Sequence, residues 1–140
     1  MKAQEQIDFH YQVEKFSLDE TKIKLWILEI IKEYNNSLEG LQIIFCSDEE
    51  LLEINKEYLN HDYYTDIITF PYQVNPIIGD IFISVDRVRE NAIEYKVSFL
   101  NELRRVIIHG VLHLLGFDDL EEESKQRMHE MEDKALEGYN

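Results

Sequence analysis

A chain of 140 residues with a formal net charge of −15 (14 basic against 29 acidic side chains) is long enough for one domain with a hydrophobic core and too short for two comfortable ones. Its 44% apolar and 31% charged residues describe an ordinary globular protein, and no apolar run reaches the length of about 18 that a membrane-spanning helix requires. The acidity speaks against nonspecific attraction to DNA, RNA or an anionic membrane, which runs largely through Lys and Arg.

In chain order, residues 5–12 read as a first strand. Ser17 and Glu20 form a capping-box pattern that opens a helix over 18–34, with Ile23, Trp26, Ile27, Ile30 and Ile31 as its apolar face. A short strand follows over 41–46. Cys46, the one cysteine, cannot form an internal disulfide and reads as a small buried residue in that strand. Ser47 and Glu50 repeat the capping-box signal and start a second helix running to Tyr58, with Leu51, Leu52 and Ile54 inward. The polar stretch 60–66 leads into a strand, DIITFPY. Asn75-Pro76 marks a turn, and Gly79 to Val85 is another strand.

Beyond residue 85 helices dominate. Asp86 can cap one over 87–96, Ser98 can cap one that runs to Leu115 and stops at Gly116, and a last helix occupies 120–137. Strands early and helices late predict an α+β fold: a single domain over 1–140, with a small mixed sheet of about four strands packed by about five helices. The start, MKAQEQIDFH, lacks the apolar core and cleavage site of a secretory signal, so a cytoplasmic location is expected. Charge is uneven. Residues 87–105 carry five basic side chains against three acidic ones, whereas Asp118 to Glu137 is heavily acidic.

The chemistry sits in HGVLHLLGFDD, residues 109–119. His109 and His113, four apart on a helix, project from one face about one turn from each other and can share a metal ion. Gly116 lets the backbone leave the helix sharply, and Asp119 can fold back as a third ligand. Zinc accepts nitrogen and carboxylate oxygen together, and three protein ligands leave a fourth position for water, as in catalytic sites. A lone histidine on so apolar a helix would read as a hydrogen-bonded core residue. Two on one stripe, followed by Gly and Asp, favour the metal. Peptidases of the H-E-x-x-H type carry a Glu base where this chain has Gly110, so a peptidase is disfavoured and phosphodiester hydrolysis fits better.

The stretch 102–118 resembles the signature of the YbeY family of bacterial metal-dependent endoribonucleases, roughly H-G-x-L-H-L-x-G-Y-D-H. His109, Gly110, Leu112, His113, Leu114, Gly116 and Asp118 match, with Phe117 in place of Tyr. Upstream, Asn55, Tyr58, Asp62, Thr65, Asp66 and Phe70-Pro71 resemble the family's N-x-x-Y-R…D-x-P-T-D-V-L-S-F-P block, and Ile78-Gly79-Asp80-Ile81 its L-G-D-I strand.

The resemblance implies a metal site like that of zinc peptidases, with one Zn2+ or another divalent ion per chain. It implies cleavage of single-stranded 16S ribosomal RNA in 3′-end maturation, and a part in ribosome quality control. It also implies small-subunit ribosomal proteins or a ribosome-assembly GTPase as partners, and neither membrane nor DNA. Two positions depart from the pattern. Asp119 stands where the family usually has a third His, which should weaken the metal's Lewis acidity and raise the pKa of its water. Leu59 stands where the family has a functional arginine.

Arg105, one turn before His109 on nearly the same side, is a candidate catalytic replacement for that charge, or else a salt-bridged surface arginine. Asp80 reads as a buried carboxylate orienting a ligand histidine or as a strand-end turn residue, and Asp66 and Thr65 as turn stabilisers. His61 reads as facing substrate or as polar surface, His129 as solvent-exposed, and His10 as a strand residue without a partner motif. The alternatives to the nuclease are a non-catalytic ribosome-assembly binding factor with a structural metal, and a metallohydrolase of another substrate.

Overall fold

The computed structural model describes residues 6–139, so the first residue of the expected 5–12 strand lies outside the described residues. The strand that forms, β1, is Ile7–Tyr11. With β2 (Leu38–Cys46), β3 (Ile67–Val74) and β4 (Ile77–Ser84) it builds a sheet of order β1-β2-β4-β3. The β1/β2 and β2/β4 pairs are parallel and β3/β4 is antiparallel. The tight Asn75-Pro76 turn permits only the antiparallel pairing, whereas the parallel neighbours are each joined through at least one helix. β2 starts earlier than the expected 41 because Leu38 is buried and pairs with Ile77.

Alternation with period two divides the sheet's side chains between its faces. Ile7, Leu41, Ile43, Phe45, Ile81 and Ile83 enter the main core with helices α1 (Glu20–Glu33) and α4 (Phe99–Leu114). Ile68, Phe70 and Phe82 face the other way, onto Leu51 and Ile54 of α2 (Asp48–Leu59). Each fully buried Leu, Ile or Phe contributes about 1.5–3 kcal/mol, so the main core carries most of the stability. α3 (Val85–Tyr95) and α5 (Glu122–Tyr139) complete a single α+β domain with five helices among the described residues.

Two caps differ from expectation. α1 is capped by Asp19, whose carboxylate accepts from the Lys22 amide, rather than by Ser17. Leu18 packs on the core and holds Ser17 outside the helix. Likewise Ser84, not Asp86, caps α3 by accepting from the Arg87 amide, while Asp86 accepts from the backbone of Asp48. The capping box at Ser47 and Glu50 and the cap at Ser98 form as the sequence predicts.

α4 is buried on most of its circumference and is the central helix of the fold. It approaches the sheet at Gly110, where a Cβ would lie 2.8 Å from Ile67 Cδ1 and 3.0 Å from Ile81 Cδ1. Its end is a Schellman motif. The Phe117 amide donates to the Leu112 carbonyl and the Gly116 amide to that of His113, with Gly116 at φ +105°. Phe117 then packs edge-on against Tyr34, with ring centroids 5.2 Å apart. This anchored reversal brings Asp119 back beside the helix it has just left.

Candidate metal centre

On the half-buried stripe of α4 the two histidines meet as their spacing predicts. His109 Nε2 and His113 Nε2 are 3.0 Å apart, and Asp119 offers Oδ2 at 3.4 Å from the first and Oδ1 at 3.5 Å from the second. One ligand atom from each residue lies within 4.8 Å of the other two, and all three residues are half-buried. Two imidazole nitrogens and a carboxylate oxygen converging on one point form a donor set that suits a divalent ion of borderline softness.

Glu132 of α5 sets which histidine nitrogen is available. Its Oε2 lies 2.6 Å from His109 Nδ1. With a carboxylate there, Nδ1 carries the proton and the Nε2 lone pair faces the cluster. Burial opposes a charged His109, but the bond to Glu132 and the charges of Glu132, Asp119 and Asp66 prevail and its pKa is raised. His113 moves the other way: burial, then repulsion from His109, lowers its pKa.

Glu132 is itself held. Arg105 Nη1 donates to Glu132 Oε1 at 3.0 Å, and Nη2 reaches Asp133 Oδ1 at 2.5 Å. Arg105 therefore stands near His109 as the helical wheel predicts, with its guanidinium engaged by two carboxylates of α5. Sequence reading passed over Glu132 because it lies in an acidic run that looks solvated. Met128, Glu132 and Tyr139 are buried together on one side of α5, and that stripe of apolar residues around a lone acid was the available signal.

Two cavities flank the centre, and Asp66, His109 and Asp119 border both. The larger, about 750 Å³, runs along α4 past Arg105 and Glu102 towards Asn91 and Tyr95 of α3. The smaller, about 410 Å³, is lined by Asn55, Leu59, His61, Tyr63 and Thr65. Leu59 thus borders the site, and no Lys or Arg lines the smaller cavity. His61 stands there too, stacked on Tyr63 with its Nδ1 2.9 Å from the Tyr63 hydroxyl.

Asp66 is more than a turn residue. Its backbone carbonyl accepts from Ser84, while burial raises the pKa of its carboxyl group beside His109. Thr65 bonds locally to the Ile67 carbonyl. Asp80 lies inside β4, not at its end, and accepts from the Tyr72 hydroxyl at 2.9 Å, and the carboxylate that orients a histidine of the cluster is Glu132. His129 is exposed beside Asp133, and His10 pairs with Gln42.

The family model described as Endoribonuclease YbeY matches residues 8–140 of this chain. Among curated relatives, the Endoribonuclease YbeY of Flavobacterium psychrophilum is 45% identical over 131 residues, 93% of this chain and 94% of the relative. That of Azobacteroides pseudotrichonymphae is 50% identical over 113 residues, 80% of this chain and 81% of the relative. The solution structure of TM1509 from Thermotoga maritima is similar in fold, with a TM-score of 0.69 at 29% identity, covering 95% of this chain and 88% of that one.

Proposed function

The chain belongs to the YbeY endoribonuclease family, and from that premise we propose that it is a zinc-dependent endoribonuclease acting on single-stranded RNA. Its substrate on this reading is ribosomal RNA, at the 3′ end of the small-subunit 16S RNA, in maturation and in ribosome quality control. The observation that carries the reading is the convergence of His109, His113 and Asp119 between two cavities of about 750 and 410 Å³. The whole chain, 1–140, acts as one catalytic domain.

His109 and His113 through Nε2, and Asp119 through a carboxylate oxygen, would hold the ion. Nitrogen donors favour zinc over magnesium or calcium, which take oxygen. When bound, zinc supplies Lewis acidity towards the scissile phosphate and makes water a better nucleophile near neutral pH. The remaining work falls to side chains. Glu132 keeps the His109 proton on Nδ1, and Arg105 keeps Glu132 in place, so Arg105 serves as a positioning residue. Asp66, bordering both cavities with a raised pKa, is placed to accept the proton of the attacking water or ribose 2′-hydroxyl.

Gly110 explains why a zinc-peptidase-like pair of histidines need not make a peptidase. The position where such enzymes carry their base faces Ile67 and Ile81 of the sheet, so tightly that even a Cβ would lie 2.8 Å from Ile67 Cδ1. With a net charge of −15, recruitment to RNA falls to a partner, a small-subunit ribosomal protein or a ribosome-assembly GTPase in the cytoplasm. No described helix is long and apolar enough to cross a membrane.

The test is cleavage of a model RNA spanning the small-subunit 3′ end, by wild type and by His113→Ala. Loss of cutting in the variant is expected. Equal cutting by both would overturn the enzyme reading in favour of a ribosome-assembly binding factor with a structural metal, a role that Leu59 in place of a cation favours.

A further inference from the structure

The larger cavity holds a buried acid that cleavage at the metal leaves unused. Glu102 lies on α4 two turns before His109, on the same side of the helix, and lines the cavity at 4% exposure. Its side chain makes no hydrogen bond among the described residues. The nearby cation, Arg105, forms its ion pairs with Glu132 and Asp133 instead. Burial therefore raises the Glu102 pKa to about 7, with Arg105 offsetting part of the effect and Asp66 and Glu132 adding to it. The Glu102 carboxylate faces the cavity with no donor from the protein, and such a group beside an active site is free to receive the donors of a ligand.

The surroundings indicate which donors. Asn91, Asn101 and the exposed ring of Tyr95 line the same cavity, and His109 and Asp119 close its other end. Its volume of about 750 Å³ accommodates a nucleotide next to the metal ligands. We propose that this cavity is a nucleobase subsite for the strand being cut, with Glu102 as its specificity-determining residue and guanine as the base it selects. The proposal rests on the endoribonuclease reading.

A carboxylate can only accept hydrogen bonds, so it selects the edge with the most adjacent donors. Guanine presents N1–H and the N2 amino group side by side, and both can reach one carboxylate. Adenine and cytosine each place an acceptor beside their single amino group, and uracil places its N3–H between two carbonyls. In single-stranded RNA these edges are free to be read, and Tyr95 gives the base a ring on which to stack.

The test uses zinc-loaded protein and RNA oligonucleotides that carry one guanosine, adenosine, cytidine, uridine or inosine in an otherwise constant unstructured strand. Wild type should cut beside guanosine with kcat/KM about tenfold or more above the other three standard bases, the value of charge-assisted hydrogen bonds. Inosine, which lacks the N2 amino group, should lose a large part of that advantage. Glu102→Gln should bring the four standard bases to within about twofold while zinc content stays unchanged. Tyr95→Ala, at an exposed position where the fold is safe, should raise KM and leave kcat in place.

Wild type cutting all bases alike, or Glu102→Gln keeping the guanosine preference, would overturn the subsite alone. No RNA cleavage by zinc-loaded wild type would instead defeat the endoribonuclease reading and the subsite with it.

Discussion

His109 Nδ1 and Glu132 Oε2 lie 2.6 Å apart, joining a histidine of α4 to a carboxylate of α5 that is only 5% exposed. The bond spans 23 residues of sequence and fixes which face of the imidazole looks into the site. Replacing Glu132 by Gln keeps the shape and weakens that control. Zinc affinity should fall by about 10- to 100-fold, the usual cost of losing such a partner, with the fold retained. Competition with a chelator of known affinity measures it; an unchanged affinity would show that Glu132 does not tune the site.

Gly110→Glu would recreate the peptidase-type H-E-x-x-H sequence. Its side chain would meet Ile67 and Ile81, placing an unpaired carboxylate in the main core. The expected outcome is a loss of at least about 3 kcal/mol of stability and no gain of peptidase activity. Thermal denaturation and a casein-cleavage assay check both halves.

Leu59→Arg restores a cation at the rim of the smaller cavity, where none lines it now. An added phosphate contact on a single strand should steepen the plot of log affinity against log salt by about 0.7 and tighten binding at low salt. Filter binding of an unstructured RNA at several salt concentrations measures this. An unaltered slope would place the strand away from Leu59.

Glu102 makes stability depend on pH in a predictable direction. Its pKa is raised in the fold, from 4.5 to about 7, so the folded chain binds this proton more tightly than the unfolded one. The stability this gives is present in full below pH 4.5 and is lost as pH rises to about 7. Glu102→Gln cannot ionise. Its stability relative to wild type should therefore climb through that window and level off above it. Urea denaturation of metal-free protein at pH 5 and pH 8 reads the difference; a constant offset would contradict it.

Much of this molecule is legible in its sequence because the informative signals are local. The capping box at Ser47 and Glu50, the cap at Ser98, the apolar stripe of α1 and the i, i+4 histidines each depend on neighbours within a turn. Asp119 was within reach because Gly116 signals the reversal that returns it. What sequence missed depends on packing between distant segments. Leu18 docking on the core decides between Ser17 and Asp19 as the α1 cap, and the position of Asp48 decides what Asp86 does. Glu132 could be recognised only once α5 was laid against α4. The roles weighed for Asp80 and Arg105 shifted for the same reason: their partners, Tyr72 across a hairpin and two acids on another helix, are set by tertiary contact.

The most direct test of the central claim is a zinc titration of RNA cleavage. Protein stripped of metal by a chelator is supplied with increasing zinc, and cutting of an unstructured RNA is followed for wild type and for His113→Ala. The account predicts no cleavage without metal, a rise in wild type that saturates at one zinc per chain, and no rise in the variant. Full cleavage by the stripped protein, or an equal rise in His113→Ala, would contradict it.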